Sequence, residues 1–291
     1  MDLKIRENDN GKYVVIYSNN FSEGIDFVFQ NKISQIQLKG TIGKIEQKID
    51  FSLIEKVSNQ IKILTISNLN DTEIENLESI YKLLFLEILF VPDKLDFKLD
   101  ISKFENLIQF GGVFSPKIIN LNKHEKLESL VISSGYPTEN LDFLCNLKSV
   151  KTLHLYKANK LENLKGIEKL SSLHEISIGY NSKITSVLEI NNSKVEKLII
   201  EKCKNLLDFS FLKDNKYIKE LSIDNIKSIE FITAMPNLEI INFWDCKDGD
   251  MRPLLEAKKL KQINFYPNKK HYSHTIEEII EITGARRGRN V

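Results

Sequence analysis

From residue 127 onward, aliphatic side chains recur in a fixed order: one, then two more at +3 and +5, with polar residues between them. The runs are LESLVI, VKTLHL, LHEISI, VEKLII, IKELSI, LEIINF and LKQINF, beginning at Leu127, Val150, Leu173, Val195, Ile218, Leu238 and Leu260. The steps between them are 23, 23, 22, 23, 20 and 22 residues. Weaker copies precede them: ISQIQL at Ile33, IKILTI at Ile61, LEILFV at Leu86 and LIQFGG at Leu107. Apolar residues two apart share one face of an extended chain, so each run predicts a short strand whose +2, +4 and +6 positions point away from the core. Between runs the step changes, as in Leu161, Leu164, Ile167 and Leu170, which predicts a return segment facing the same core. One coil alone cannot bury both rows. Stacked coils can, with a parallel sheet along one side.

The pattern L-x-x-L-x-L-x-x-N/C-x-L followed by a second aliphatic set resembles the leucine-rich repeat, and tails such as KLENLKGIEKLSSL and SIEFITAMPNL look like the 22-residue class typified by the internalins. The resemblance covers about residues 33–267. It implies an α/β fold, a leucine-rich repeat solenoid with its parallel β-sheet on the concave side. The position that carries asparagine in this family holds Ala158, Asn181, Cys203, Ile226, Cys246 and Asn268 in successive repeats. A continuous asparagine ladder is therefore not expected, and the arc should be irregular.

A terminal coil leaves one side of its core open to water, so both ends need covers. At the start, LKIREN, KYVVIYS and GIDFVFQ read as three β-type runs, with Asn10-Gly11 as a hairpin turn, and predict an N-terminal β cap over residues 1–32. At the end, TIEEIIEITG offers Thr275 and Glu278 as a capping box, Ile276, Ile279 and Ile280 on one face and Gly284 as a stop. A C-terminal cap helix and basic tail over 268–291 follows from this. No linker rich in Pro, Gly or Ser separates these pieces from the solenoid at 33–267, which reads as one continuous domain.

The outward positions of the C-terminal repeats are where chemistry concentrates. His154, Tyr156, Glu175, Glu201, Glu220, Asp224, Trp244 and Tyr266 are the candidate partner-binding residues, four carboxylates set against Lys197 and flanked by aromatics. Aromatic side chains dominate binding hot spots and acidic rims select basic partners. Solubility of a solvent-facing sheet would account for the carboxylates equally well. Trp244 is the only tryptophan, and packing against Tyr266 or Lys197 is the alternative to a contact role. The N-terminal half of the same face is nearly uncharged, with Ile88, Phe90 and Val113 in adjacent repeats. Either the register slips there or a second, apolar contact patch exists; the weaker repeat match favours a slip.

Composition narrows the function class. Across 291 residues, 41 Lys and Arg nearly cancel 40 Asp and Glu, so no global field collects nucleic acid or an anionic membrane. Arg286, Arg287 and Arg289 crowd the end and read as a solvated tail. The opening lacks a secretory pattern, no stretch reaches the ~18 apolar residues of a membrane span, and three cysteines make no disulfide framework. A cytoplasmic setting is the expectation. His271, Ser273 and His274 with Glu277 and Glu278 make a weak metal pattern, and no phosphate loop or nucleophile elbow occurs. The reading is a non-catalytic module with no cofactor and no metal, holding a protein partner of basic character on the concave face, without nucleic acid or membrane. A toxin-neutralising bacterial immunity protein is the alternative that the acid stripe favours. An enzyme with its site in the caps is least supported, because the capping strands hold no His or Cys.

Overall fold

The computed structural model of the chain describes residues 3–41, 47–69 and 72–288. The chain divides into two compact units, Met1–Gly135 and Tyr136–Val291. Each of the eleven aligned runs opens a strand two residues after its first aliphatic residue, from Gln35 after Ile33 to Gln262 after Leu260. The fold is α/β, built of leucine-rich repeat coils.

The first unit opens with β1 (Ile5–Asn8) antiparallel to β2 (Gly11–Tyr17), joined at Gly11 with φ +102°, a conformation that glycine adopts without strain. The third run, expected as a strand, is the helix α1 (Phe21–Gln30), which buries Phe21, Ile25 and Val28. The run satisfies both periods: Ile25, Phe27 and Phe29 alternate, while Phe21, Ile25 and Val28 repeat at helical spacing. The helical set wins because it lays one stripe on β2. Phe29 is left 50% exposed.

Next in order come β3 (Gln35–Lys39), β4 (Gln47–Asp50), β5 (Ile63–Ser67), β6 (Thr72–Glu75), β7 (Ile88–Val91), β8 (Leu99–Asp100), β9 (Gln109–Val113), β10 (Ile118–Ile119) and β11 (Ser129–Ser134). Strands β2, β3, β5, β7, β9 and β11 pair successively, all parallel. β4 with β6 and β8 with β10 form short ladders of their own.

The expected register slip does not occur here. Leu64, Leu89 and Phe110 face inward and are fully buried, while Ile88 pairs with Gln109 and Phe90 with Gly111 on the opposite face. Phe90 fits because Gly111 has no side chain; a Cβ there would lie 2.8 Å from the ring. The pattern weakens because outward positions are apolar, not because the strands shift. Only after Ile132 does pairing move by one residue, with Ser134 opposite Val113.

In the second unit, β12 (Thr152–Tyr156), β13 (Glu175–Gly179), β14 (Lys197–Glu201), β15 (Glu220–Ile226) and β16 (Ile240–Cys246) precede the short α2 (Pro253–Glu256), β17 (Gln262–Phe265), α3 (Ile276–Thr283) and β18 (Arg286–Arg287). Neighbouring strands pair in parallel and residue for residue, so Leu153, Ile176, Leu198, Leu221, Ile241 and Ile263 form one inward row, each no more than 1% exposed. Leu161, Leu164 and Ile167 meet it from the return segment at 0% exposure. Burying one such side chain is worth about 1.5–3 kcal/mol, and the row repeats that gain in every coil.

At the asparagine position, Ala158, Cys203, Ile226 and Cys246 are buried without an amide, and Asn181 alone makes the full set of bonds. Its Nδ2 donates to the carbonyls of Ala158 (2.9 Å) and Leu161 (3.0 Å), and its Oδ1 accepts from the amides of Lys183 (2.8 Å) and Ile184 (3.0 Å). The C-terminal helix begins at the expected box: Thr275 Oγ1 accepts from the Glu278 amide, and the Thr275 amide donates to Glu278 Oε2 at 2.7 Å. Ile276 and Ile279 are fully buried, and Gly284 ends the helix in the left-handed region. Arg286 and Arg287 are exposed to solvent as expected, but they are not a loose tail. They make β18, parallel to β17, and the Arg287 guanidinium reaches Glu277 at 3.0 Å. Arg289 lies outside the described residues.

Candidate functional site

The outward side chains of β12 to β17 stand in three rows because the strands share one register. The first row pairs Thr152, Glu175, Lys197, Glu220, Ile240 and Gln262 in succession. His154 Nε2 lies 3.0 Å from Glu175 Oε1, and the Lys197 ammonium lies 3.5 Å from Glu175 and 3.6 Å from Glu220. The expected acid stripe is therefore divided. Glu175 and Glu220 share one lysine, a partly buried arrangement still open enough to solvent to be worth about 0–1 kcal/mol per pair. Glu201 and Asp224 stand at the other end of the strands, and among the described residues neither pairs with a lysine or arginine.

The middle row carries His154, Ser177, Ile199, Ser222, Asn242 and Asn264. Ser177, Asn242 and Asn264 are only 1%, 3% and 4% exposed although they face away from the core. Asn242 Nδ2 donates to Ser222 Oγ at 3.0 Å, while its Oδ1 has no partner among the described residues. The chain passes over this row at Gly288, where an added Cβ would sit 3.1 Å from Asn242 Oδ1.

The third row begins with Tyr156, Gly179 and Glu201 in register. The Tyr156 ring lies against Gly179, so close that a Cβ there would be 2.5 Å from it. The Tyr156 hydroxyl reaches Ser177 Oγ at 3.3 Å, and the ring meets His154 edge-on at 6.3 Å. His154 and Tyr156 are thus packed and bonded within the surface. Trp244 and Tyr266 differ: they remain 37% and 59% exposed.

Tyr180, Glu201, Lys202, Asp224, Asn225 and Trp244 line an open depression of about 390 Å³. Tyr180 and Lys202 follow β13 and β14 in the left-handed region, at φ +56° and +51°. This turns their side chains toward each other: the Lys202 ammonium donates to the Tyr180 hydroxyl at 2.9 Å and lies 4.7 Å from the ring centre. The Lys157 and Tyr180 amides each donate to a carbonyl of the next coil, Gly179 and Glu201, at 2.9 Å. For Lys202 the acceptor is the Asp224 carboxylate, at 2.8 Å. Sequence reasoning stopped at +6 and missed Tyr180 and Lys202 at +7. The only available signal was a bulky polar residue at that position in adjacent repeats.

The other chemical candidates are occupied by structure. His271 Nε2 bonds the Cys246 carbonyl at 3.2 Å and His274 Nδ1 bonds Ser273 Oγ at 3.0 Å, while Glu277 and Glu278 serve Asn268, Arg287 and the helix cap. Among the described residues, no three His, Cys, Asp or Glu side chains gather to hold a metal ion. Burial pushes the Cys203 thiol up to about 11 and the Cys246 thiol up to about 12, which suits packing rather than nucleophilic use.

No family model and no curated protein matches this chain. Among solved structures it is similar to internalin C2 from Listeria monocytogenes, at 20% identity and TM-score 0.48, covering 68% of this chain and 88% of that one. It is also similar to the functional domain of InlJ from Listeria monocytogenes, described as including a cysteine ladder, at 14% identity and TM-score 0.47, covering 82% of this chain and 60% of that one. A leucine-rich repeat protein from Leptospira interrogans aligns over 90% of this chain and 91% of its own length, at 13% identity and TM-score 0.31. These likenesses carry neither partner nor activity to this chain.

Proposed function

We propose that the chain is a non-catalytic protein-binding module that holds a protein partner on the open face of β12 to β17. The observation that carries this is the exposure of Trp244 and Tyr266. Two large aromatic side chains stand open on a face whose middle row is buried at Ser177, Asn242 and Asn264, and such residues anchor protein interfaces. At about 4.8 Å per strand, the five steps from Tyr156 to Tyr266 span about 24 Å, a width that suits a folded domain more than a metabolite. Among the described residues no helix is long and apolar enough to cross a membrane. The three free cysteines fit a reducing compartment such as the cytoplasm.

The test is affinity capture from the native organism with wild-type and Trp244→Ala/Tyr266→Ala chains as parallel baits. A partner retained by the first and lost by the second supports the reading; capture that both baits share equally moves the interface elsewhere. A narrower reading, neutralisation of a basic toxic protein, is favoured by Glu201 and Asp224, whose carboxylates form no ion pair with a lysine or arginine side chain among the described residues. Co-expression with the captured protein checks it, since neutralisation requires that growth be restored.

A further inference from the structure

We infer that the depression beside Trp244 receives an arginine side chain of the protein partner. This inference rests on the open-face reading and deepens it. Three observations on different residues converge. The Glu201 and Asp224 carboxylates line the same hollow as the exposed Trp244 indole. The one ammonium there, on Lys202, is already bonded to the Tyr180 hydroxyl and seated over that ring. Asp224 spends one oxygen on the Lys202 backbone amide, which leaves its second oxygen and the Glu201 carboxylate open to a further donor. Two carboxylates against one ammonium leave the hollow one negative charge in excess.

Charge complementarity and shape select the occupant. A guanidinium is planar, donates five N–H groups in a fixed fork, and stacks on an aromatic face while bonding carboxylates at its edge. Trp244 supplies the face and Glu201 and Asp224 the edge. The wall is mostly polar and open to solvent, unlike the enclosed, apolar sites that take small metabolites. A volume of about 390 Å³ exceeds one side chain, so there is room for the backbone that carries it. The seating of Lys202 over Tyr180 shows the same cation-on-ring contact within the chain itself.

Trp244 is the single tryptophan, so selectively excited fluorescence of the intact chain reports this hollow alone. The probes are three blocked tripeptides, Gly-Arg-Gly, Gly-Lys-Gly and Gly-Glu-Gly. The arginine peptide should shift the emission saturably, the lysine peptide should bind more weakly, and the glutamate peptide should leave the emission unchanged. Glu201→Gln combined with Asp224→Asn should weaken arginine binding about tenfold or more, because both charge-assisted acceptors are lost. The asparagine still accepts from the Lys202 amide, so an unchanged melting temperature verifies the fold. No saturable shift, an equal shift with the glutamate peptide, or unchanged affinity in the double variant overturns the inference. A flat arginine titration alongside capture that depends on Tyr266 removes this site and leaves the open-face reading standing. Arginine binding alongside capture indifferent to both aromatics overturns both, because the partner then places no arginine in this hollow.

Discussion

Asn181 replaces four backbone partners with one buried amide, and no other ladder position in its unit does so. Asn181→Ala strips the Ala158 and Leu161 carbonyls and the Lys183 and Ile184 amides of their bonds at once. Each buried group left unsatisfied costs about 1–3 kcal/mol, and partial solvation of the turn reduces the sum, so chemical denaturation should show a loss of about 3 kcal/mol. Leu198→Ala should cost about 2–5 kcal/mol, whereas Lys197→Ala, which removes only partly exposed pairs at 3.5 and 3.6 Å, should cost about 1 or less. The buried thiols predict a pH effect of definite sign. Cys203 and Cys246 titrate at about 11 and about 12 in the folded chain against an ordinary value of 9.0, so the unfolded chain releases these protons first. Their contribution is complete below pH 9 and is lost as pH rises toward 12; a Cys203→Ala/Cys246→Ala chain should show a shallower alkaline decline in melting temperature. The inward residues were legible from spacing alone. The partners of Glu175 and Glu220 were not, because their shared lysine depends on pairing between coils. Tyr180 and Lys202 escaped because a bulky polar residue at +7 does not by itself announce left-handed backbone.

Among the elements, α1 shows where periodicity stops deciding. Its ten residues satisfy strand and helix patterns together, and the outcome follows from packing on β2, with Gly24 set against the buried Ile16. Gly24→Ala weighs two effects. Alanine gains about 1 kcal/mol of helix propensity, but its Cβ would lie 2.5 Å from Ile16 Cγ2, on a side chain that is fully buried and cannot swing away. Overpacking of that kind costs about 1–3 kcal/mol, so the substitution should lower the melting temperature despite the better helix former. At the other end the capping box was readable because it is local in sequence, whereas β18 was not, since two arginines before a glycine resemble a tail until β17 offers an edge. Deleting residues 275–291 removes both covers from Ile263 and Phe265, which are fully buried in the intact chain. Aggregation on size-exclusion chromatography, or a lower melting temperature, is the expected result; a monomer with unchanged melting would show that α3 and β18 cover nothing.

At the scale of the whole molecule, a net charge of +1 conceals paired charges carried from coil to coil. Lys62 meets Glu87 at 3.0 Å, Glu196 meets Lys219 at 2.9 Å and Glu239 meets Lys261 at 2.8 Å, all at the same +1 position of successive runs. Each pair is exposed and adds little stability, but within each unit such pairs neutralise the position they occupy. The excess negative charge of Glu201 and Asp224 over Lys202 is then a local field, and its consequence is kinetic. With a basic partner, Glu201→Lys should slow association and reduce or reverse its dependence on salt, because attraction at that point gives way to repulsion. Trp244→Ala should act mainly on the dissociation rate, by roughly tenfold or more for a hot-spot aromatic. Stopped-flow mixing at several ionic strengths separates the two, and equal effects of both variants on association would contradict the assignment of steering to the acid and anchoring to the indole.

The row of Glu175, Lys197 and Glu220 makes the coils interchangeable on one side and ordered on the other. Excise residues 195–217 and Lys194 runs directly into Ile218, so the aliphatic spacing continues unbroken and Leu221 takes the inward place of Leu198. Outside, however, Glu220 would now face Glu175 with no ammonium between them, and like charges directly opposite on paired strands repel. A chain shortened by that coil keeps its interior and loses its surface neutrality, so the sequence of coils is written in the polar residues, while the aliphatic ones record only how many there are.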